Sequence, residues 1–446
     1  MDLAPQPPSL PSEVPALATA HDGRPALWRR TLFAPVKFLF GLLMVQSPLG
    51  AVFLTGWTAR LMQRVVLWTW WRNARRSGNV KSFAAFLAED QRTNGHLHWP
   101  NWFLAQRFSS QVAAEPLLSQ KMKRIVAGLF RSLWDNGRLG CQMFLNASLV
   151  LLPSMLLMWV AWFSGWQVSF NKQYEHFVVG GSVGLIGIAL FVAGMFYVPM
   201  ALARQASTGD WRSFYAFRLV RGLVRRAWFG NLLLAGGYAA ASLPILIMMT
   251  GPTFFGQSHS STTELSPAVV ERNLRLYYLA CALWVFPAFV VLRCAAACLY
   301  GRTLLKSVQT GSVGEDDLAE NEWHTLHRLG LLADTTPAKR SIWTQLILWF
   351  GTKAGRITAG FLVAGLWFLV VGQINYAATF FNYRFAFSWI NQPLTFLPWF
   401  MHLPAHIGNQ WVPVSVAFFV FFAAWRIQRA VKWVRAKKSA IARLNA

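Results

Sequence analysis

Acidic residues are scarce in this 446-residue chain: 17 Asp and Glu stand against 42 Lys and Arg, a net charge of +25. Charge of either sign is scarce as well, at 13% of residues where an ordinary soluble protein has about 25%. Cysteine is sparse. Cys141, Cys281, Cys294 and Cys298 all fall in or beside apolar stretches, so no disulfide framework is expected. Each shortage excludes a class. Intrinsic disorder needs low hydrophobicity with high net charge, and a chain that is 55% hydrophobic is too apolar for it. A basic nucleic-acid binder sets its Lys and Arg against a soluble background, which is missing here, so nucleic acid is not an expected partner. Familiar catalytic signatures are missing too: there is no HExxH, no P-loop, and no GxGxxG in a strand-to-helix setting.

Long hydrophobic runs are what the chain has in quantity. A helix needs roughly 20 apolar residues to cross a ~30 Å hydrocarbon core, and only helices satisfy their own backbone over such stretches. Seven segments approach this: residues 38–57, 139–163, 177–203, 228–250, 276–300, 357–380 and 411–425. The expected fold is all-α, a polytopic transmembrane helical bundle. It has six spans, an ambiguous first segment and cytoplasmic amphipathic helices. The chain then divides into four regions: a Pro-rich disordered tail (1–30), a core membrane domain (31–300), a cytoplasmic loop (301–356), and a C-terminal helical pair with a basic tail (357–446). The tail lacks a basic stretch followed by an apolar one, so the first apolar segment is expected to act as an uncleaved anchor.

Charge orients the spans, because cytoplasmic loops are enriched in Lys and Arg. Residues 58–138 hold 13 of them, 204–227 hold six, 301–356 seven and 426–446 seven, whereas the alternate loops hold only Lys172, Arg272, Arg275 and Arg384. The first set is therefore expected in the cytoplasm, with the C-terminus, and the chain in the inner (cytoplasmic) membrane. The first segment is less determined. A full span would put Arg24, Arg29, Arg30 and Lys37 outside, while a break at Ser47-Pro48 would allow a re-entrant hairpin.

Two cytoplasmic stretches read as amphipathic helices. In 58–76, Arg60, Arg64, Arg72, Arg75 and Arg76 interleave with Leu61, Val65, Leu67, Trp68 and Trp71. In 214–228, Arg218, Arg221, Arg225 and Arg226 interleave with Phe217, Leu219, Leu223 and Val224. Such helices can lie at headgroup level with basic side chains on lipid phosphates, or serve only as positive-inside anchors. Trp57, Trp166, Trp228, Trp411 and Trp425 fit an interfacial belt, and the aromatic stretch 381–410 is expected on the outer membrane surface.

Pro48, Pro153, Pro199, Pro244 and Pro287 fall in the first five segments, as in transporters built on broken helices. LPSMLLM at 152–158 and LPILIMM at 243–249, each after an asparagine (Asn146, Asn231), hint at a repeat of helix pairs. Against transport, no span carries Asp or Glu, and Arg293, the one charge well within a span, can snorkel to the headgroups. Gly180, Gly184, Gly187 and Gly194 make a small-residue stripe suited to close helix packing.

For a metal, the candidate is Glu320, His324 and His327, which share one face if their segment is helical; the alternative is a solvated amphipathic helix with Trp323, Leu326 and Leu329 on its other side. Cys294 and Cys298, i and i+4, read as small packing residues. His96 and His98, and His402 and His406, lack the carboxylates of an acid–base set.

Residues 196–217, FYVPMALARQASTGDWRSFYAF, resemble a signature of bacterial and archaeal membrane proteins grouped as domain of unknown function 4013. There, a span ends in Pro-x-Ala-x-Ala, a small residue and Gly or Asp, followed by Ala-Phe and a basic helix. Gly56-Trp57 with Arg60 and Arg64 is similar to the family's Gly-aromatic turn after the first span. His98-Trp99-Pro100-Asn101-Trp102 is similar to its Pro-Trp turn, without the acidic residues. The resemblance covers about residues 37–250. It implies a multi-span membrane protein with no assigned activity and brings no catalytic residues.

The sequence supports three functional expectations. The first is a non-enzymatic membrane protein that organises lipids, anionic ones among them, or partner proteins or its own copies, through a basic cytoplasmic face. The second is a transporter or permease component with Pro-broken helices. The third is a membrane enzyme with a metal at Glu320/His324/His327. No catalytic residue, cofactor or firm metal site is assigned.

Overall fold

A computed structural model describes chiefly residues 38–76, 82–93, 116–161, 177–258, 267–332 and 353–367. Among these there is helix and no strand. Several sequence expectations lie outside the described residues: the Pro-rich tail, the His96/His98 turn, the aromatic stretch with His402 and His406, the last span and the basic C-terminal tail. Contacts divide the chain into a first unit, Met1–Gly41, and a second, Leu42–Ala446, which holds all the numbered helices.

The helices are α1 (Pro48–Arg76), α2 (Phe83–Thr93), α3 (Leu118–Val160), α4 (Phe177–Thr208), α5 (Phe217–Arg226), α6 (Trp228–Ser258), α7 (Pro267–Gln309) and α8 (Glu320–Arg328). A further helix, α9, covers residues 353–367. Among the described residues, three stretches are long and apolar enough to cross a membrane: Leu118–Met158, Gly180–Thr208 and Arg275–Gln309. They correspond to the second, third and fifth apolar segments. Their surfaces carry large exposed apolar side chains, such as Leu152, Leu156, Leu185, Leu190 and Val291, as a lipid-facing bundle requires.

The first apolar segment is not one helix. The chain turns at Gln46-Ser47, and α1 starts afresh at Pro48. Ser47 caps it, its Oγ accepting from the Gly50 amide at 2.9 Å. Pro48 sits at the first helical position, where its missing N–H costs nothing. From there α1 runs without interruption through the stretch expected to be a separate surface helix. Gln46 Nε2 donates to the Tyr278 carbonyl (3.0 Å), and Trp70 Nε1 donates to the Gly301 carbonyl (3.0 Å). Nearly equal lengths of helix separate the two bonds on each partner, so α1 and α7 run parallel and in step.

The other prolines break nothing. Pro153, Pro199, Pro244 and Pro287 all sit inside continuous helices. Neighbouring helices can compensate the lost bond in such a bundle.

Glycines set the closest approaches. A Cβ on Gly56 would stand 1.9 Å from the Asn136 carbonyl oxygen, and one on Gly140 would stand 1.9 Å from that of Val52. Here α1 and α3 cross backbone to backbone, a contact that only glycine permits. Gly56 thus lies inside a helix at a crossing, where the family resemblance implies a turn. The stripe on α4 packs within the chain: a Cβ on Gly187 would meet Met158, and one on Gly194 would meet Leu151, both on α3. The core between α1, α3, α4 and α7 is filled by Met62, Trp70, Met143, Phe191, Phe289 and Tyr300, among others.

Candidate functional site

Described residues from three of the four basic stretches expected on one side meet at one end of the bundle. The organising segment is the end of α4 together with the turn after it. Gly209, at φ +74°, terminates α4, a position that suits glycine. Asp210 then caps a short 3₁₀ turn, Trp211–Tyr215, by accepting from the Arg212 amide at 3.1 Å. α5 begins directly after it. Three partners lock this turn to α3 through Asn146. Asn146 Nδ2 donates to Gln205 Oε1 (3.0 Å) and to the Trp211 carbonyl (3.1 Å), and Tyr215 Oη donates to Asn146 Oδ1 (2.9 Å). Tyr197 Oη donates to the Phe214 carbonyl. The stretch quoted for the family resemblance is therefore a polar knot under a buried Phe214. Asn231, expected to match Asn146 in a repeat, bonds among the described residues to the carbonyl of Ala227, just before its own helix. The two asparagines are not equivalent.

The later loop closes over this knot. Arg204 Nη2 donates to the Asp317 carbonyl (3.0 Å), and Asn321 Nδ2 donates to the Thr208 carbonyl (2.8 Å). Tyr300 Oη donates to Glu322 Oε1 at 2.7 Å, and both side chains are buried. Asp90 on α2 holds α8: Arg328 Nη2 lies 2.7 Å from its Oδ1, and Thr325 Oγ1 donates to the same oxygen at 3.3 Å. The Arg328 guanidinium also covers the Phe86 ring at 4.9 Å. Residues 315–332 thus pack on the bundle as part of it.

The expected metal face does not assemble. α8 is helical, but Glu320 and His324 are exposed and 3.8 Å apart, and His327 stacks flat on Trp323, centroids 4.9 Å apart. Among the described residues, no three His, Cys, Asp or Glu side chains converge as metal ligands. The carboxylate that matters locally is Glu322, which turns inward to Tyr300. Gly180-Gly181-Ser182-Val183-Gly184 has the GxSxG spacing, a pattern missed in the sequence. It lies within α4, whereas a nucleophile elbow needs a strand-to-helix turn.

Arg293 does not snorkel. It is 1% exposed, with its guanidinium 4.9 Å over the Phe289 ring. Cation–π contact takes the place of the headgroup because the side chain points into the packed centre. Arg60 is also buried, and its Nη1, like Nε2 of Gln63, has no hydrogen-bond partner among the described residues. The apolar side of the 58–76 stretch is equally internal: Met62, Val66, Leu67, Trp70 and Trp71 belong to the core. The apolar side of α5 (Leu219, Val220, Leu223) also packs on protein, and its Arg218, Arg221, Arg225 and Arg226 face outward.

One exposed amphipathic surface was not singled out from the sequence. At the start of α3, Leu118, Met122, Val126, Phe130 and Trp134 succeed one another at i+4 and are 45–77% exposed. Lys121, Lys123, Arg124 and Arg131 flank this ridge. The i+4 spacing was visible in the sequence, but only burial separates a ridge left bare from one used in the core. No family model matches the chain, no curated protein matches it, and no solved structure matches it.

Proposed function

We propose that the chain is a non-catalytic protein of the inner membrane that gathers anionic lipids around a basic cytoplasmic face. The observation that carries this reading is the bare ridge of α3. A helix with large apolar side chains exposed on one side and Lys and Arg beside them is suited to the headgroup boundary, with the basic groups on lipid phosphates. The outward arginines of α5 and the mutual docking of the basic loops at one end add support.

In this reading α1 is a further crossing, since it accompanies α7 over the length of a candidate span, and α6 and α9 are crossings beside it. The resemblance to domain of unknown function 4013 supplies no chemistry of its own. The transporter reading keeps one break, before Pro48, while Pro153, Pro199, Pro244 and Pro287 lie in continuous helices. Among the described residues, no converging ligands support the metal-enzyme reading.

Lipid analysis tests the proposal. The full chain, purified from its membrane in neutral detergent, is expected to retain anionic lipids in excess over their share of that membrane. K121Q/K123Q/R124Q/R131Q is expected to lose the excess. Co-purified lipid that mirrors the bulk membrane in the unaltered chain sinks the reading.

A further inference from the structure

Between α1 and α7, just beyond their tight contact at Gly301, lies a cavity of about 200 Å³ lined by Trp68, Thr69, Arg72, Asn73 and Arg302. It opens to solvent and is roomy enough for a phosphate group. Two guanidiniums line it and no carboxylate does. The Arg72 guanidinium rests 5.1 Å over the Trp68 ring, which fixes its plane while leaving its edge N–H groups available. Asn73 spends one donor on the Thr69 carbonyl at 2.8 Å, which orients its amide beside the cavity. The walls are rigid: Trp70 is bonded to the Gly301 carbonyl, and a Cβ on Gly301 would stand 3.4 Å from Thr69.

Two exposed arginines on separate packed helices, with an oriented amide lining the same cleft, make a phosphate-binding arrangement. Guanidinium forks grip phosphate oxygens bidentately, and the packed helices hold both side-chain stems at the cleft before binding. We propose that this cavity is a specific phosphate site. Its ligand is either the phosphodiester of an anionic lipid headgroup or free phosphate. The site sharpens the lipid reading, on which its lipid arm rests, from a diffuse basic face to a single socket away from the α3 ridge.

The test uses the full chain in neutral detergent with two probes. Inorganic phosphate is tracked by equilibrium dialysis, and short-chain phosphatidylglycerol by native mass spectrometry. One equivalent of either probe is expected to bind. Preference for phosphatidylglycerol assigns a lipid source, and equal or better binding of inorganic phosphate assigns a free one. R72Q/R302Q is expected to weaken the bound probe by at least about tenfold, whereas R272Q/R275Q, exposed near the opposite end of α7, leaves it unchanged. Should R72Q/R302Q aggregate, R72K/R302K is the alternative. It keeps the charge but loses the fork, with several-fold weaker binding expected. Binding of neither probe, equal binding by the pocket variants, or an equal loss in R272Q/R275Q overturns the proposal. Failure of the α3 lysine and arginine variants to change bulk lipid enrichment, with this binding intact, sinks the broader reading alone.

Discussion

Helix α5 and the second half of α1 carry the same interleaving of arginines with apolar side chains, yet they hold different positions. In α1, core packing claims most of the apolar side (Met62, Val66, Leu67, Trp70 and Trp71), leaves Trp68 exposed, and draws Arg60 and Gln63 in with it. In α5, three buried residues dock the helix and all four arginines stay outside. The difference lies in neighbours and continuity rather than in pattern. α1 continues a helix that Ser47 and Pro48 have already started and that glycines bring into backbone contact with α3. α5 is ten residues long and comes after a 3₁₀ turn. Its three buried side chains, at roughly 1.5–3 kcal/mol each, fall short of offsetting about 1–2 kcal/mol per ordered residue. The Asn146 knot beside it supplies the remaining constraint.

Glycine substitutions test this contrast most severely. Gly56→Ala puts a methyl group where the Asn136 carbonyl stands and is expected to cost well over 3 kcal/mol, leaving little folded protein in a detergent melting assay. Gly222→Ala on α5 meets nothing within 4 Å and is expected to be neutral or to stabilise by up to about 1 kcal/mol. Equal melting of the two variants would erase the distinction between an interior helix and a docked one.

Asn146→Ala comes next. It removes three hydrogen bonds and leaves Tyr215 without this acceptor, at an expected cost of about 2–3 kcal/mol. Hydrogen exchange is expected to accelerate first at residues 211–226, while α1 stays protected. Uniform acceleration through both helices would mean that α5 does not depend on the knot.

Arg60→Met has a smaller effect of the opposite sign. Replacing a buried guanidinium that has an unbonded Nη1 with an apolar side chain of similar length is expected to raise stability by about 1 kcal/mol. A clear loss would show that the Arg60 charge has a partner in the native membrane. Smallest of all, Arg221→Gln with Arg225→Gln on the exposed face of α5 is expected to change stability by less than about 0.5 kcal/mol. Its effect is expected in lower anionic-lipid retention, stronger at low salt because exposed charges are screened.

Local pattern set much of this protein before any packing. Apolar length alone marks α3, α4 and α7, because over so long an apolar run a helix satisfies every amide within its own segment. The punctuation at Ser47-Pro48 and Gly209-Asp210 is equally local, since it depends on a cap, a missing donor and a positive φ. Tertiary structure decided the rest. It chose which side of α1 faces protein, turned Glu322 inward and Glu320 outward, and made Asn146 a hub while leaving Asn231 bonded to Ala227, just before its own helix. It also left the ridge from Leu118 to Trp134 bare. Periodicity says that a helix has an apolar side, but only the distance to a neighbouring helix says whether protein or lipid covers it.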